Sequence, residues 1–225
     1  MSNTETTPKN SPRTERRRWN GTDLGLIAVF AALVAGAALV PGLALNGFGV
    51  PITFQTLAVM LTGLVLGPAR GFAAVGLYTL LGLAGLPIFS QGRSGLGILA
   101  GPSAGYIIAF PIAAGVVGWL ATVVIKRTTK ARALWFFVAA TATSIVVVHS
   151  LGILGIALNS KATLEQAFLS DLVFYPGDII KNLLAVSIAL ALHKAFPDLL
   201  VRRVRKVPQQ PATPEAPKPE ASAQQ

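Results

Sequence analysis

The chain has 225 residues, of which 52% are hydrophobic and only 12% are charged, and its formal net charge is +10. A soluble domain of this composition would expose too much apolar surface, so we predict an all-α membrane protein. The sequence contains no cysteine, which excludes disulfides, zinc thiolate sites and cysteine nucleophiles. Nucleic-acid binding is not indicated, because the cations lie in short runs between apolar segments and form no basic stripe with aromatic residues.

Polar tails flank the apolar part of the chain. Residues 1–21 carry an arginine cluster but no apolar core of a signal peptide, and residues 207–225 are mainly Pro, Gln, Ala, Glu and Ser. We predict that both tails are disordered and that residues 22–206 form a membrane domain with a solute-binding pocket.

Apolar segments within residues 22–206 predict a bundle of six transmembrane helices. The second segment is short for a span and needs its neighbours, whereas the last three are long enough alone. The turn GPARG at 67–71 predicts a tight hairpin between the second and third helices. The six segments are Leu24–Val40, Phe54–Leu66, Phe72–Phe89, Ala104–Ile125, Ala133–Leu158 and Pro176–Phe196.

The cations predict the orientation, since cytoplasmic loops carry an excess of Lys and Arg. With the N-terminus inside, both tails, Arg70 and the run at 126–132 fall on the cytoplasmic side. Only Arg93 and Lys161 fall in outer loops, and Lys161 is expected to be solvated together with Glu165 and Asp171. We therefore expect a multi-pass protein of the cell membrane with both termini in the cytoplasm.

The segment FYPGDIIK at 174–181 places charges in an apolar helix. Pro176 suits the first helical turn, and Lys181 lies one turn beyond Asp178 on the same face. An ionised group in hydrocarbon costs roughly 2.5–3.5 kcal/mol, so such residues usually mark a site. The alternative is a stabilising acid near a helix N-terminus with an ion-pair partner.

Further polar side chains are predicted to lie near the same outer helix ends. They would form an outward-facing pocket that offers one acceptor, two cations, two amides and an aromatic wall. Such a pocket suits a small ligand that carries both NH donors and a carboxylate. The expected pocket residues are Gln55, Gln91, Arg93, Ser103, Tyr106, Asp178 and Lys181.

Two features lie away from this pocket. Small residues at helical spacing on the first helix, including Ala28 and Ala32, permit close helix packing, either inside the bundle or against another membrane protein. His149 and Ser150 are adjacent and point about 100° apart on a helix, so catalysis by this pair is not expected. We expect an interhelical hydrogen bond from His149.

The sequence has no phosphate-binding loop, no H-E-x-x-H motif and no acidic cluster for a metal, so we expect neither a metal nor a cofactor. The prediction is a protein, not an enzyme, that captures a small solute and depends on a partner for energy. Two alternatives remain: a membrane-embedded enzyme acting on a small or lipid substrate with Asp178 or His149 as base, and a structural or channel subunit.

Three motifs resemble the BioY family, the biotin-specific substrate-binding component of energy-coupling factor (ECF) transporters. They are VPITFQT at 50–56, GILAGPSAGY at 97–106 and FYPGDIIKN at 174–182, and the resemblance spans about residues 22–196. It implies a six-helix bundle surrounded by membrane lipid that holds biotin near the outer surface. It also implies a transmembrane coupling subunit and ATPase subunits as partners.

The resemblance also implies roles for individual residues. Asp178 matches the acid that accepts from the ureido NH groups, and Lys181 matches the lysine of the same motif. Arg93 lies where it could meet either the ureido oxygen or the biotin carboxylate, and we expect the carboxylate because Ile107 stands where some relatives carry Arg. Gln55 and the backbone around Gly105 are expected to line the pocket. Ala28 and Ala32 resemble the A-x-x-x-A surface that docks to the coupling subunit.

Overall fold

The structure, a computed structural model, describes residues 19–42, 46–128, 130–197 and 199–200. Every regular element in these residues is a helix. Four helical stretches are long and apolar enough to cross a membrane: Gly21–Leu39, Ala104–Arg127, Arg132–Ser160 and Leu164–Ala195. The prediction of an all-α membrane protein with several spans is thus confirmed, with four stretches that are long enough to span alone. The predicted tails lie outside the described residues, apart from residues 19–21.

The described chain contains eight α-helices, two of which are joined by a π-helical segment, Ser144–His149. The α-helices are α1 (Gly21–Leu39), α2 (Gln55–Leu66), α3 (Pro68–Leu83), α4 (Ala104–Arg127), α5 (Arg132–Thr143), α6 (Ser150–Ser160), α7 (Leu164–Asp171) and α8 (Tyr175–Ala195). The long loop between α3 and α4 contains two short 3₁₀ turns, Ser90–Gly92 and Leu96–Ala100.

Helix α2 forms the centre of the bundle and packs against α1, α3, α4 and α8. Its side chains are buried on nearly every side, including Met60, Leu64 and Val65, none of which is exposed. A helix this apolar belongs in a core. The short second segment thus does lie among its neighbours, as the sequence predicts.

The hairpin between α2 and α3 is tighter than predicted, because Gly67 alone separates the two helices. Gly67 has φ +79, which glycine adopts without steric cost, and Pro68 follows in the first turn of α3. Arg70 is buried and pairs with Asp23 of α1 at 3.2 Å, so this cation also joins two helices.

The structure differs from expectation at the end of the third predicted helix and in the segment before the sixth. Helix α3 ends at Leu83, not near Phe89, because Gly85 turns the backbone with φ +113. The predicted solvated loop with Lys161, Glu165 and Asp171 is wrong for Asp171, which lies at the end of α7 with 0% exposure. The capping box of Thr163 and Gln166 starts that helix.

Two glycines bring the backbones of α4 and α6 together. A Cβ atom on Gly105 would overlap the carbonyl oxygen of Leu151, and one on Gly155 would lie 2.7 Å from the Cα of Gly105. Small residues permit such close crossings of membrane helices. The crossing holds Tyr106, the next residue of α4, against α6 and α7.

We predict that Gly105→Ala lowers the free energy of unfolding by about 1–3 kcal/mol, because an added methyl group in a filled contact forces the helices apart. Gly97→Ala is the matched control, since the space around its Cβ is open, and a change within about 0.5 kcal/mol is expected. Equilibrium unfolding in detergent measures both. Equal stability of the two variants would contradict the close crossing.

Candidate ligand-binding site

A cavity lies between α2, α4, α8, the π-helical segment and the loop that joins α3 to α4. About 580 Å³ inside it is free of protein atoms, including space that is open to solvent. Most of its wall is apolar, with Val50, Phe89, Ile98, Ile107 and Phe110 among the lining residues. Each of these elements also contributes at least one polar side chain to the lining, as expected of a pocket for a small organic ligand.

Asp178 and Lys181 form the polar end of the cavity on α8. The ammonium group of Lys181 donates to Oδ1 of Asp178 at 2.9 Å, and the Thr56 hydroxyl donates to the same oxygen at 3.0 Å. Asp178 and Lys181 are only 5% and 8% exposed. Their spacing of three residues places them on one face, as predicted, and that face points inward.

His149 lies behind Asp178, at the C-terminal end of the π-helical segment. Its Nε2 atom is 3.4 Å from Oδ2 of Asp178, and its Nδ1 atom forms a hydrogen bond of 3.1 Å with Oδ1 of Asp171. The hydroxyl of Tyr106 donates to Oδ1 of Asp171 at 2.5 Å. The expected interhelical hydrogen bond of His149 is therefore present, and its partner is the buried Asp171.

Gln55 opens α2 on the opposite wall of the cavity. Its amide nitrogen donates to the Tyr78 hydroxyl at 2.7 Å, and its carbonyl oxygen accepts from Thr53 at 3.1 Å. Tyr78 packs edge-on against Phe89 with ring centroids 5.5 Å apart. These contacts fix the Gln55 amide at the cavity wall.

Arg93 lies on the loop wall of the cavity. Its Nε atom donates to the carbonyl oxygen of Ser90 at 3.2 Å, and its Nη2 atom lies 3.4 Å from the Ser103 hydroxyl. Arg93 is partly exposed, and both of these partners are neutral; no carboxylate among the described residues forms an ion pair with it. Its planar fork is suited to binding a carboxylate.

The structure brings most of the predicted site residues together. Gln55, Arg93, Ser103, Tyr106, Asp178 and Lys181 all line the cavity. Gln91 and Gly105 lie outside its lining. Gln91 is exposed in a left-handed backbone conformation with φ +62, and Gly105 belongs to the crossing of α4 and α6.

Three residues of the site were not predicted from the sequence: Thr56, His149 and Asp171. Thr56 follows Gln55 in an N-terminal helical turn and contacts Asp178 across the bundle. His149 and Asp171 fall in segments that were interpreted as a core helix and a solvated loop. The signal that could have identified Asp171 is the apolar character of the residues around it, which is atypical of a loop.

The arrangement is suited to holding a ligand with polar groups at both ends. The lining combines a carboxylate acceptor and an ammonium donor on α8, a guanidinium on the loop and a set of apolar side chains. Among the described residues, no group of three or more His, Cys, Asp or Glu side chains is arranged to hold a metal ion.

Comparisons with known proteins identify the family of this chain. A match to the BioY family covers residues 10–198. The chain is 37% identical over 182 residues to a biotin transporter BioY of Rhizobium etli, covering 80% of this chain and 97% of that protein. It is 40% identical over 188 residues to a biotin transporter BioY of Rhodobacter capsulatus, covering 79% and 96% respectively.

A solved structure is similar over most of the chain. The crystal structure of the S-component for biotin from an ECF-type ABC transporter matches with a TM-score of 0.73 at 31% sequence identity. The match covers 77% of this chain and 91% of that one. Since the family match spans most of the chain and the relatives are matched over nearly their full length, this chain belongs to the BioY family.

Proposed function

We propose that this protein binds biotin on the outer side of the cell membrane and serves its uptake as the S component of an ECF transporter. The observation that carries the proposal is the buried Asp178–Lys181 pair at one end of an apolar cavity, with Arg93 at the loop wall. Biotin has a ureido ring with NH donors, an apolar body and a carboxylate. These three parts correspond to the three kinds of surface in the cavity.

The membrane-enzyme alternative is not favoured. Asp178 is engaged by Lys181 and Thr56, and His149 lies between two carboxylates. A base in such a position would still need a reacting substrate and a second catalytic group with access to lipid. The relatives are described as transporters, and the protein is not an enzyme.

The proposed topology has six spans with both termini in the cytoplasm. Four stretches are long enough to cross alone, and α2 with α3 supply the other two as an apolar hairpin inside the bundle. The distribution of cations supports this orientation, since Arg93 and Lys161 are the Lys and Arg residues of the outer loops. The cavity then opens outward.

In the bound state, Asp178 accepts from a ureido NH group with Lys181 beside it, and Arg93 holds the carboxylate. Gln55, Ser103 and Tyr106 are further lining residues of the same cavity. The roles follow from charge: Lys181 is already paired with Asp178, whereas the partners of Arg93 are neutral.

The docking surface proposed for the coupling subunit is the face of α1 that points away from the rest of the bundle. Ala28 and Ala32 are exposed there, next to the exposed Gly25 and Gly36, whereas Ala31 is buried in the bundle. This face presents small side chains against which a partner helix can pack closely. The energy for uptake comes from ATPase subunits, because the sequence contains no phosphate-binding loop of its own.

Asp178→Asn tests the acceptor. Hydrogen bonds to charged groups contribute about 1.5–3 kcal/mol, so the affinity for biotin should fall about tenfold to a hundredfold. Glu165→Gln removes an exposed acid from α7 and should leave the affinity unchanged. Equilibrium binding to purified, folded variants measures both, and wild-type affinity in Asp178→Asn would overturn the assignment.

Arg93→Ala tests the carboxylate contact through the choice between biotin and an uncharged biotin amide. Wild type should prefer biotin, and the variant should lose most of that preference while it keeps its affinity for the amide. Lys161→Asn is the control, because it removes an exposed cation at a position of φ +53 that Asn tolerates. An equal loss for both ligands would instead assign Arg93 to loop structure or to the ureido oxygen.

Ala28→Trp and Ala32→Trp test the docking surface. A bulky ring on the exposed face of α1 should stop uptake in cells and leave biotin binding by the isolated protein intact. Leu158→Trp, at a 78% exposed position on α6, should affect neither. Loss of binding together with uptake would show internal packing, and unchanged uptake would show that the face contacts lipid only.

A further inference from the structure

We infer that His149 and Asp171 form a proton-holding pair that positions Asp178 for its ligand, with His149 as an imidazolium between two carboxylates. The inference deepens the proposed biotin site and rests on it for the ligand. It adds two positioning residues, one of which, Asp171, does not line the cavity.

The first observation is that both ring nitrogens of His149 face carboxylate oxygens. Nδ1 lies 3.1 Å and 2.9 Å from the two oxygens of Asp171, and Nε2 lies 3.4 Å from Oδ2 of Asp178. A neutral imidazole has one N–H and one lone pair. If both carboxylates are ionised, a neutral ring would direct its lone pair at one of them. The geometry therefore requires that the His149–Asp171 pair hold one proton more than the single N–H of a neutral imidazole.

The second observation is the charge balance of this cluster. Asp171 and Asp178 bring two negative charges, and Lys181 brings one positive charge; the two acids are 0% and 5% exposed. A neutral His149 would leave one buried negative charge without compensation, which is strongly destabilising. A proton on His149 makes the cluster neutral.

The groups that face His149 from each neighbouring element are consistent with this charge. Tyr106 of α4 and Asp171 of α7 lie on the Nδ1 side, and Asp178 and Lys181 of α8 lie on the Nε2 side. The Tyr175 ring stacks on the imidazole with centroids 4.3 Å apart and an angle of 19° between the planes. An aromatic face favours a cation.

The orientation of His149 is fixed by its surroundings. The stacked Tyr175 sets the plane of the imidazole ring. Asp171, which the Tyr106 hydroxyl holds in place, sets the direction in which Nδ1 points within that plane. A carboxylate that orients the far nitrogen of a histidine selects which nitrogen faces the site. Asp171 therefore acts on Asp178 through His149.

The consequence for the ligand concerns the free positions on Asp178. A carboxylate accepts about four hydrogen bonds, and Oδ1 already receives two, from Lys181 and Thr56. His149 occupies one position on Oδ2. One position on Oδ2 is left for an NH donor of the ligand, and the His149 proton keeps Asp178 ionised and turned toward it.

The charge of His149 can be measured directly on the full-length wild-type protein in detergent. Nitrogen-15 labelling of histidine gives ring signals for His149 and His193, and His149→Gln assigns them. At about pH 7 both ring nitrogens of His149 should carry a proton, and in Asp171→Asn one of them should lose it. A neutral His149 ring in the wild type would overturn the inference, whatever the fate of the variants.

The positioning role is measured by biotin binding. His149→Gln and Asp171→Asn should each weaken binding about tenfold, the scale of one lost charge-assisted hydrogen bond. Glu165→Gln, on the same helix as Asp171 but exposed, should bind like wild type. Wild-type affinity in both folded variants would overturn the role. If the wild type binds no biotin, the proposed function fails instead, and the histidine signals still decide the charge of the pair.

Discussion

The structure depends on burying the Asp178 carboxylate in the first turn of an apolar helix. A buried charge is stable only when hydrogen bonds and opposite charges compensate for the hydration that it loses. Here they come from separate parts of the chain: Lys181 from α8 itself, Thr56 from α2, and His149 from the π-helical segment. Each partner joins its own segment to the same carboxylate, so the same contacts form the site and pack this half of the bundle.

Backbone contacts complete that arrangement. The crossing at Gly105 and Gly155 brings α4 against α6, and the next residue, Tyr106, thereby reaches Asp171. At the other end of the bundle, the ion pair of Asp23 and Arg70 joins α1 to the hairpin of α2 and α3. The face of α1 that carries Ala28 and Ala32 stays exposed. The proposed docking surface and the cavity thus lie on different helices.

The sequence predicts the helices and most of the site because hydrophobicity and helical spacing are local. The apolar runs indicate the helices, and the spacing of Asp178 and Lys181 places both on one face. The sequence does not predict α7 or the burial of Asp171, because the helix has only eight residues, which is too short for its apolar positions to repeat over several turns. The link from Asp171 through His149 to Asp178 is tertiary, and no local pattern specifies it.

Whether this cavity binds biotin is best decided by equilibrium binding of labelled biotin to the purified wild-type protein. The assay uses the full chain in detergent or lipid, without coupling or ATPase subunits. We expect saturable binding that unlabelled biotin displaces and that an unrelated small carboxylic acid does not. A folded protein that binds no biotin, or that releases it equally to any carboxylic acid, would show that the cavity is not a biotin site.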